Sequence, residues 1–180
     1  MLSCLYFLLI EEILAIFDFQ MERDNPIKIT DENTALTKAM RYCAYQERAQ
    51  QEVRDKMYEW GVAGRIIEIV ISRLITENFL SEERFARIYA KSKFNQKHWG
   101  KVKIKQGLKL KRVPDVLIKK ALAGIDLDDY MTALQHLLEK KAASLKEKHS
   151  LKRRYKLQQY ALSRGFESNL ILEVLKNSEL

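Results

Sequence analysis

The sequence predicts an all-α protein, a tandem array of three three-helix, helix-turn-helix-like repeats, elongated and curved. Three observations carry that expectation. Chain breakers are scarce, with two prolines and six glycines in 180 residues, while Leu, Lys, Ala, Glu, Ile and Arg abound. Apolar residues recur at three- and four-residue spacing, the period of a one-sided helix. One pattern also occurs three times, as MYEWGVAGRIIEIVI (57–71), LKLKRVPDVLIKKAL (108–122) and ALSRGFESNLILEVL (161–175).

Each copy reads as the end of a helix, a turn, and a second amphipathic helix. Gly61 and Gly165 close the helix in the outer copies, where a left-handed backbone favours glycine. Arg112 holds that place in the middle copy, so its turn must be made differently or at some cost in strain. Val62, Val113 and Phe166 follow the turn. Ile66, Ile67, Val70 and Ile71 then correspond to Leu117, Ile118, Ala121 and Leu122, and to Leu170, Ile171, Val174 and Leu175. Pro114 suits the first turn of the new helix, where no amide hydrogen is needed.

Upstream of each turn, Val53/Met57, Ile104/Leu108 and Leu157/Ala161 are i, i+4 pairs on one helix face. That alignment decides the KVKIK stretch at 101–105, whose strict alternation taken alone favours a strand. The spacing predicts a helix over 100–111. A further helix completes each unit, at about 34–45, 82–95 and 127–146. Ser81 ahead of Glu82 and Glu83 is a helix start with a cap and acids near the positive dipole end, and Asp126 or Asp128 serves the third unit. The units therefore run 34–80, 81–126 and 127–177. One such unit buries little apolar surface alone, so neighbours are expected to support one another.

Residues 1–33 are read as an N-terminal extension. Its first 20 residues contain Glu11, Glu12 and Asp18 and no Lys or Arg. The apolar run Leu5–Ile10 is too short to span a bilayer, and the acids are costly in lipid, so no membrane role is expected. The stretch before Met21 reads either as an amphipathic extension or as translated sequence upstream of a start at Met21. Cys4 and Cys43 are too few and too far apart for a disulfide framework, which points to a reducing, cytoplasmic setting.

No catalytic pattern emerges. The chain lacks a glycine-rich phosphate loop, a nucleophile elbow, HExxH and CxxC. The adjacent acid pairs Glu11/Glu12, Glu82/Glu83 and Asp128/Asp129 point in different directions on a helix. His98, His136 and His149 have no partner at metal-ligand spacing. The expectation is a non-enzyme with no cofactor and no metal.

Charge is the informative feature. The net charge is +8, but Arg84–Gly124 alone holds thirteen Lys and Arg against one acid, Asp115. Lys101, Lys105 and Lys109 form a like-charged i, i+4 ladder, which costs helix stability unless anions screen it. Such a segment suits a polyanion or an acidic partner surface, and an ordinary solvated face is the alternative. The candidate binding residues here are Arg84, Lys91, Lys93, Lys97, Trp99, Lys101, Lys103, Lys105, Lys109, Lys111 and Arg112. A second cluster, Lys152, Arg153, Arg154 and Lys156, lies beside Tyr155, and Lys152, Arg153 and Arg154 join the candidates. Trp99 either stacks on a base, fills a groove in a partner, or packs the first helix of its unit against the second. Trp60 reads as packing at its turn.

Within Phe79–Val113, the residues Leu80, Glu83, Arg84, Phe85, Ala86, Tyr89, Lys91, Gly100, Ile104 and Leu108 resemble the central signature of the RecX family of recombination regulators. The resemblance covers about 34–177. Glu83 stands where that family more often has Asp, and Lys111-Arg112-Val113 replaces its usual Lys-Gly-Ile. The chain is expected to be a monomer, and the resemblance implies three tandem three-helix units. It also implies binding to the RecA recombinase and its nucleoprotein filament, restraint of ATPase and strand exchange, and electrostatic association with DNA. Two other readings stand beside it: a helical-repeat protein that binds DNA independently of RecA, and a scaffold whose basic face meets an acidic protein.

Overall fold

The computed structural model describes residues 29–178, and these contain nine helices and no strand. The first unit comprises α1 (Glu32–Tyr45), α2 (Gln50–Glu59) and α3 (Gly64–Thr76). The second comprises α4 (Glu82–Lys97), α5 (Lys101–Leu110) and α6 (Asp115–Ala123). The third comprises α7 (Leu127–Ser144), α8 (Ser150–Arg164) and α9 (Ser168–Asn177). The extension up to residue 28, with Cys4, lies outside the described residues. No helix among them is long and apolar enough to cross a membrane.

The KVKIK stretch is helical, as the repeat requires. All three i, i+4 pairs are fully buried. The turn after each is the same in every unit. Val62, Val113 and Phe166 donate their N–H to the carbonyls of Met57, Leu108 and Ala161, at 3.1, 3.2 and 3.2 Å. Gly61, Arg112 and Gly165 donate to Tyr58, Lys109 and Leu162, each at 2.9 Å. This nested pair of bonds is a Schellman closure, and it needs a left-handed residue at its corner. Gly61 (φ 73°) and Gly165 (φ 87°) supply it freely. Arg112 supplies it at φ 58°, so the middle turn keeps the shared geometry at a strain of about 1–2 kcal/mol.

Helix starts also follow the sequence. Ser81 accepts the N–H of Arg84, and Asp126, rather than Asp128, caps α7 by accepting from Asp128 and Asp129. Asp31 caps α1, accepting from Thr34 at 2.8 Å.

The apolar interior is divided. One core lies within the first unit and includes Leu36, Val53, Met57, Ile67 and Leu74, with Cys43 beside them as a buried free thiol whose burial pushes it up to about 11. The other is continuous through the second and third units, running from Phe85 through Ile104, Leu108 and Tyr130 to Leu157 and Phe166. Among the described residues, Ala49 is the one buried side chain of the first unit that enters this second core.

Candidate functional site

The basic segment is carried by α4, α5 and α6. Because Ile104 and Leu108 face the core, Lys101, Lys105 and Lys109 run along one flank of α5. They are not equivalent. Lys101 is half-buried with its ammonium 4.8 Å from the centre of the Tyr130 ring. Lys109 lies 3.4 Å from Asp115. Lys105 is exposed and has no ion-pair partner among the described residues. The ladder predicted from sequence is thus one free cation between two engaged ones.

Several other candidates are engaged within the chain. Arg84 joins the first two units: its Nε donates to Glu47 at 2.5 Å and its terminal nitrogens reach Asn78 Oδ1 and the carbonyls of Asn78 and Phe79. Lys111 pairs with Glu52 at 2.5 Å, and Arg112 donates to Gln51 at 3.3 Å. Arg153 caps the end of α7 by donating to the carbonyls of Ala142 and Leu145. Lys93 and Lys103 sit 5.3 and 5.0 Å from the Trp99 ring, and Lys103 also donates to the Ser163 carbonyl. Trp99 itself is half-buried against the second core, the packing arrangement. Trp60 packs on Tyr42 in an edge contact at 5.9 Å.

The remaining candidates, Lys91, Lys97, Lys152 and Arg154, are exposed and, like Lys105, have no ion-pair partner among the described residues. Arg87 and Lys119 share that condition. Lys120 instead meets Glu83 at 2.6 Å and holds its carboxyl below the usual glutamate range. Sequence reasoning left Arg87, Lys119, Lys140 and Arg164 off the candidate set. Lys140 and Arg164 belong to the third unit, and only the fold brings them beside α4. The three elements α4, α7 and α8 enclose a cavity of about 670 Å³ lined by both, and a second of about 480 Å³ adjoins it between α4 and α6.

The two junctions between units share one plan. The start of a second helix meets the turn of the following unit. Between the second and third units the contact is backbone on backbone: the N–H groups of Gly100 and Val102 donate to the carbonyls of Arg164 and Gly165, at 2.9 and 3.0 Å. A Cβ on Gly165 would lie 2.6 Å from the Lys103 nitrogen, and one on Gly100 would overlap the Gly165 carbonyl. The Lys101 N–H donates to the buried Tyr130 hydroxyl at 2.8 Å, which donates to Glu167 at 2.5 Å. Burial, with the Glu167 carboxylate beside it, pushes that hydroxyl far above its ordinary value. Between the first and second units the equivalent amide, Gln50 N–H, is taken by Glu82 at 2.9 Å, a carboxyl that burial raises. Two ion pairs, Glu47–Arg84 and Glu52–Lys111, and hydrogen bonds from Arg84 and Arg112 fill the rest of that junction.

Residues 35–74, 81–122 and 128–175 match in turn the first, second and third three-helix domains of RecX. A regulatory protein RecX of Prosthecochloris aestuarii is 34% identical over 151 residues, 81% of this chain and 94% of that protein. One from Clostridium acetobutylicum is 33% identical, over 79% of this chain and 67% of its own length. The Bacillus mycoides relative is longer, and the match spans 55% of it at 28% identity. Among solved structures, RecX from Lactobacillus salivarius superposes with a TM-score of 0.76 at 23% identity, covering 81% of this chain and 95% of that one. With three consecutive domain matches and relatives this similar, the chain belongs to the RecX family of regulatory proteins.

Proposed function

We propose that this chain binds RecA as protein and as nucleoprotein filament, and restrains its ATPase and strand-exchange activities as a monomer without catalysing a reaction. The observation that carries this reading is the run of three RecX domain matches over 35–175, in the order the family has them. The units 34–80, 81–126 and 127–177 act as the successive contact modules. The exposed cations of the second unit, Lys91, Lys97 and Lys105, with Lys152 and Arg154 of the third, touch DNA phosphates or acidic protein surface by charge. Binding then biases filament assembly or turnover through differential affinity for filament states.

The test is to titrate the full chain into RecA on single-stranded DNA and follow ATP hydrolysis. A concentration-dependent fall is expected. A flat response over a wide range at moderate salt would remove the proposal. The DNA-only alternative predicts affinity for a particular duplex that survives competitor DNA, whereas charge-driven contact has no sequence preference and weakens steeply with salt.

A further inference from the structure

The outward side of α4 carries a stripe that the repeat pattern does not explain. Arg87, Lys91 and Asn95 follow at i, i+4 and i+8, all exposed, with His98 just beyond at φ 50°. The two cavities flank this stripe and share Phe94, Asn95 and Asp129, so they form one continuous groove. From Arg87 to His98 the stripe runs about 16 Å, the length of about five stacked nucleotides.

The larger cavity has a mixed lining. Phe94, Ala133 and Leu137 give it apolar surface and Tyr160 an aromatic wall. Lys140 is exposed at its edge, with no ion-pair partner among the described residues. One terminal N–H of Arg164 donates to the Lys97 carbonyl, while its buried Nε–H has no acceptor among the described residues. A buried guanidinium N–H left unpaired is costly, and Arg164 also lines the cavity, so a turn of its side chain toward an anionic oxygen there would relieve that cost. One carboxylate, Asp129, lines the same space. It repels a bare anion or an acidic peptide but accepts hydrogen bonds from a nucleobase. In the smaller cavity Glu83 is already taken by Lys120 and Asp126 by the amides it caps, so the shared Asp129 is the one unengaged carboxylate beside Arg87 and Lys91, which have no ion-pair partner among the described residues. Cations, an apolar floor, an aromatic wall and one hydrogen-bond acceptor together match a nucleoside phosphate. A volume of this order is a small-molecule site.

We propose that the cavity between α4, α7 and α8 holds a nucleoside phosphate, with Lys140 and Arg164 on the phosphate and Phe94 and Tyr160 against the base, while Arg87 and Lys91 carry the adjoining strand along α4. This deepens the DNA contact within the function proposed above and rests on that contact. The source is a segment of single-stranded DNA or a free nucleotide.

The test uses the full chain, without RecA, and the fluorescence anisotropy of a labelled oligothymidylate at several salt concentrations. Lys140→Glu and Arg87→Glu should each weaken binding about tenfold and lower the salt slope by about one. Tyr160→Leu should weaken binding with the slope unchanged. Lys119→Glu, the same charge change outside the groove, should weaken it far less. Circular dichroism checks that each variant keeps its helicity. Equal losses from Lys140→Glu and Lys119→Glu would reduce the effect to overall charge and overturn the groove.

Thymidine monophosphate and inorganic phosphate serve as competitors. Displacement by the nucleotide alone supports a free-nucleotide site, and displacement by neither supports a strand segment. Equal displacement by both would overturn the proposal. The RecA ATPase titration is read separately: groove variants that still restrain ATPase but lose oligothymidylate separate this inference from the RecA reading. Oligothymidylate binding that is intact in all groove variants overturns it outright.

Discussion

The two junctions of this array are built on one geometry and held by different forces. Between the second and third units, glycines 100 and 165 let backbone meet backbone, and one apolar core passes through. Between the first and second, Arg112 stands where Gly165 stands, and the contact is made by Glu47–Arg84, Glu52–Lys111 and Gln51–Arg112 around the single buried methyl of Ala49. A turn residue can thus set the chemistry of an interface. A Cβ at the corner both strains the turn and holds the neighbouring helix off, so side chains have to fill the space.

Breaking the tight junction should cost the most stability. Gly165→Val places a β-branched residue at φ 87° with its Cβ against Lys103, and should cost about 3 kcal/mol or more, read as a large drop in Tm. An unchanged Tm would mean that the close approach is not required. Next, Arg84→Ala strips the guanidinium from Glu47, whose Oε2 is already buried without a partner, and should cost about 1–3 kcal/mol. Its readout is local: amides of α1–α3 should exchange faster while those of α7–α9 do not change. High salt should push wild type in the same direction.

Tyr130→Phe leaves the Lys101 N–H and Glu167 without their shared hydroxyl, at about 1–2 kcal/mol. Its pH dependence has a definite sign. The hydroxyl is raised in the folded state, so the unfolded chain releases that proton first as pH climbs past about 10. Wild-type stability is therefore fully present below that pH and falls above it, and the fall should be shallower in Tyr130→Phe, measured by Tm against pH. The smallest effect is a gain. Arg112→Gly relieves the left-handed strain and should raise stability by about 1 kcal/mol, less the lost bond to Gln51. A fall in Tm would show that the Gln51 contact outweighs the strain.

The repeated turn was legible in the sequence because its signals are local: a glycine corner, the apolar residue after it, and an i, i+4 pair before it. The helix at 101–110 was legible only through alignment with the other copies, since its own alternation favours a strand. The state of each cation was not legible. Arg84, Lys111 and Arg153 find partners 5 to 59 residues away, across turns or unit boundaries, and no local spacing reports such pairs. Lys140 and Arg164 escaped notice for the same reason, because their nearness to α4 is a product of how the third unit seats on the second.

Ala49 has a mechanical consequence. An array whose last two units share a core and whose first is attached through one buried methyl, two ion pairs and a few hydrogen bonds is a stiff rod with a compliant joint near one end. If the pitch of a binding partner differs from the pitch of the array, the mismatch is taken up at residues 46–52, where bending exchanges ion pairs for water instead of opening a core. The second and third units then seat as one rigid body, and the first unit follows the partner's contour.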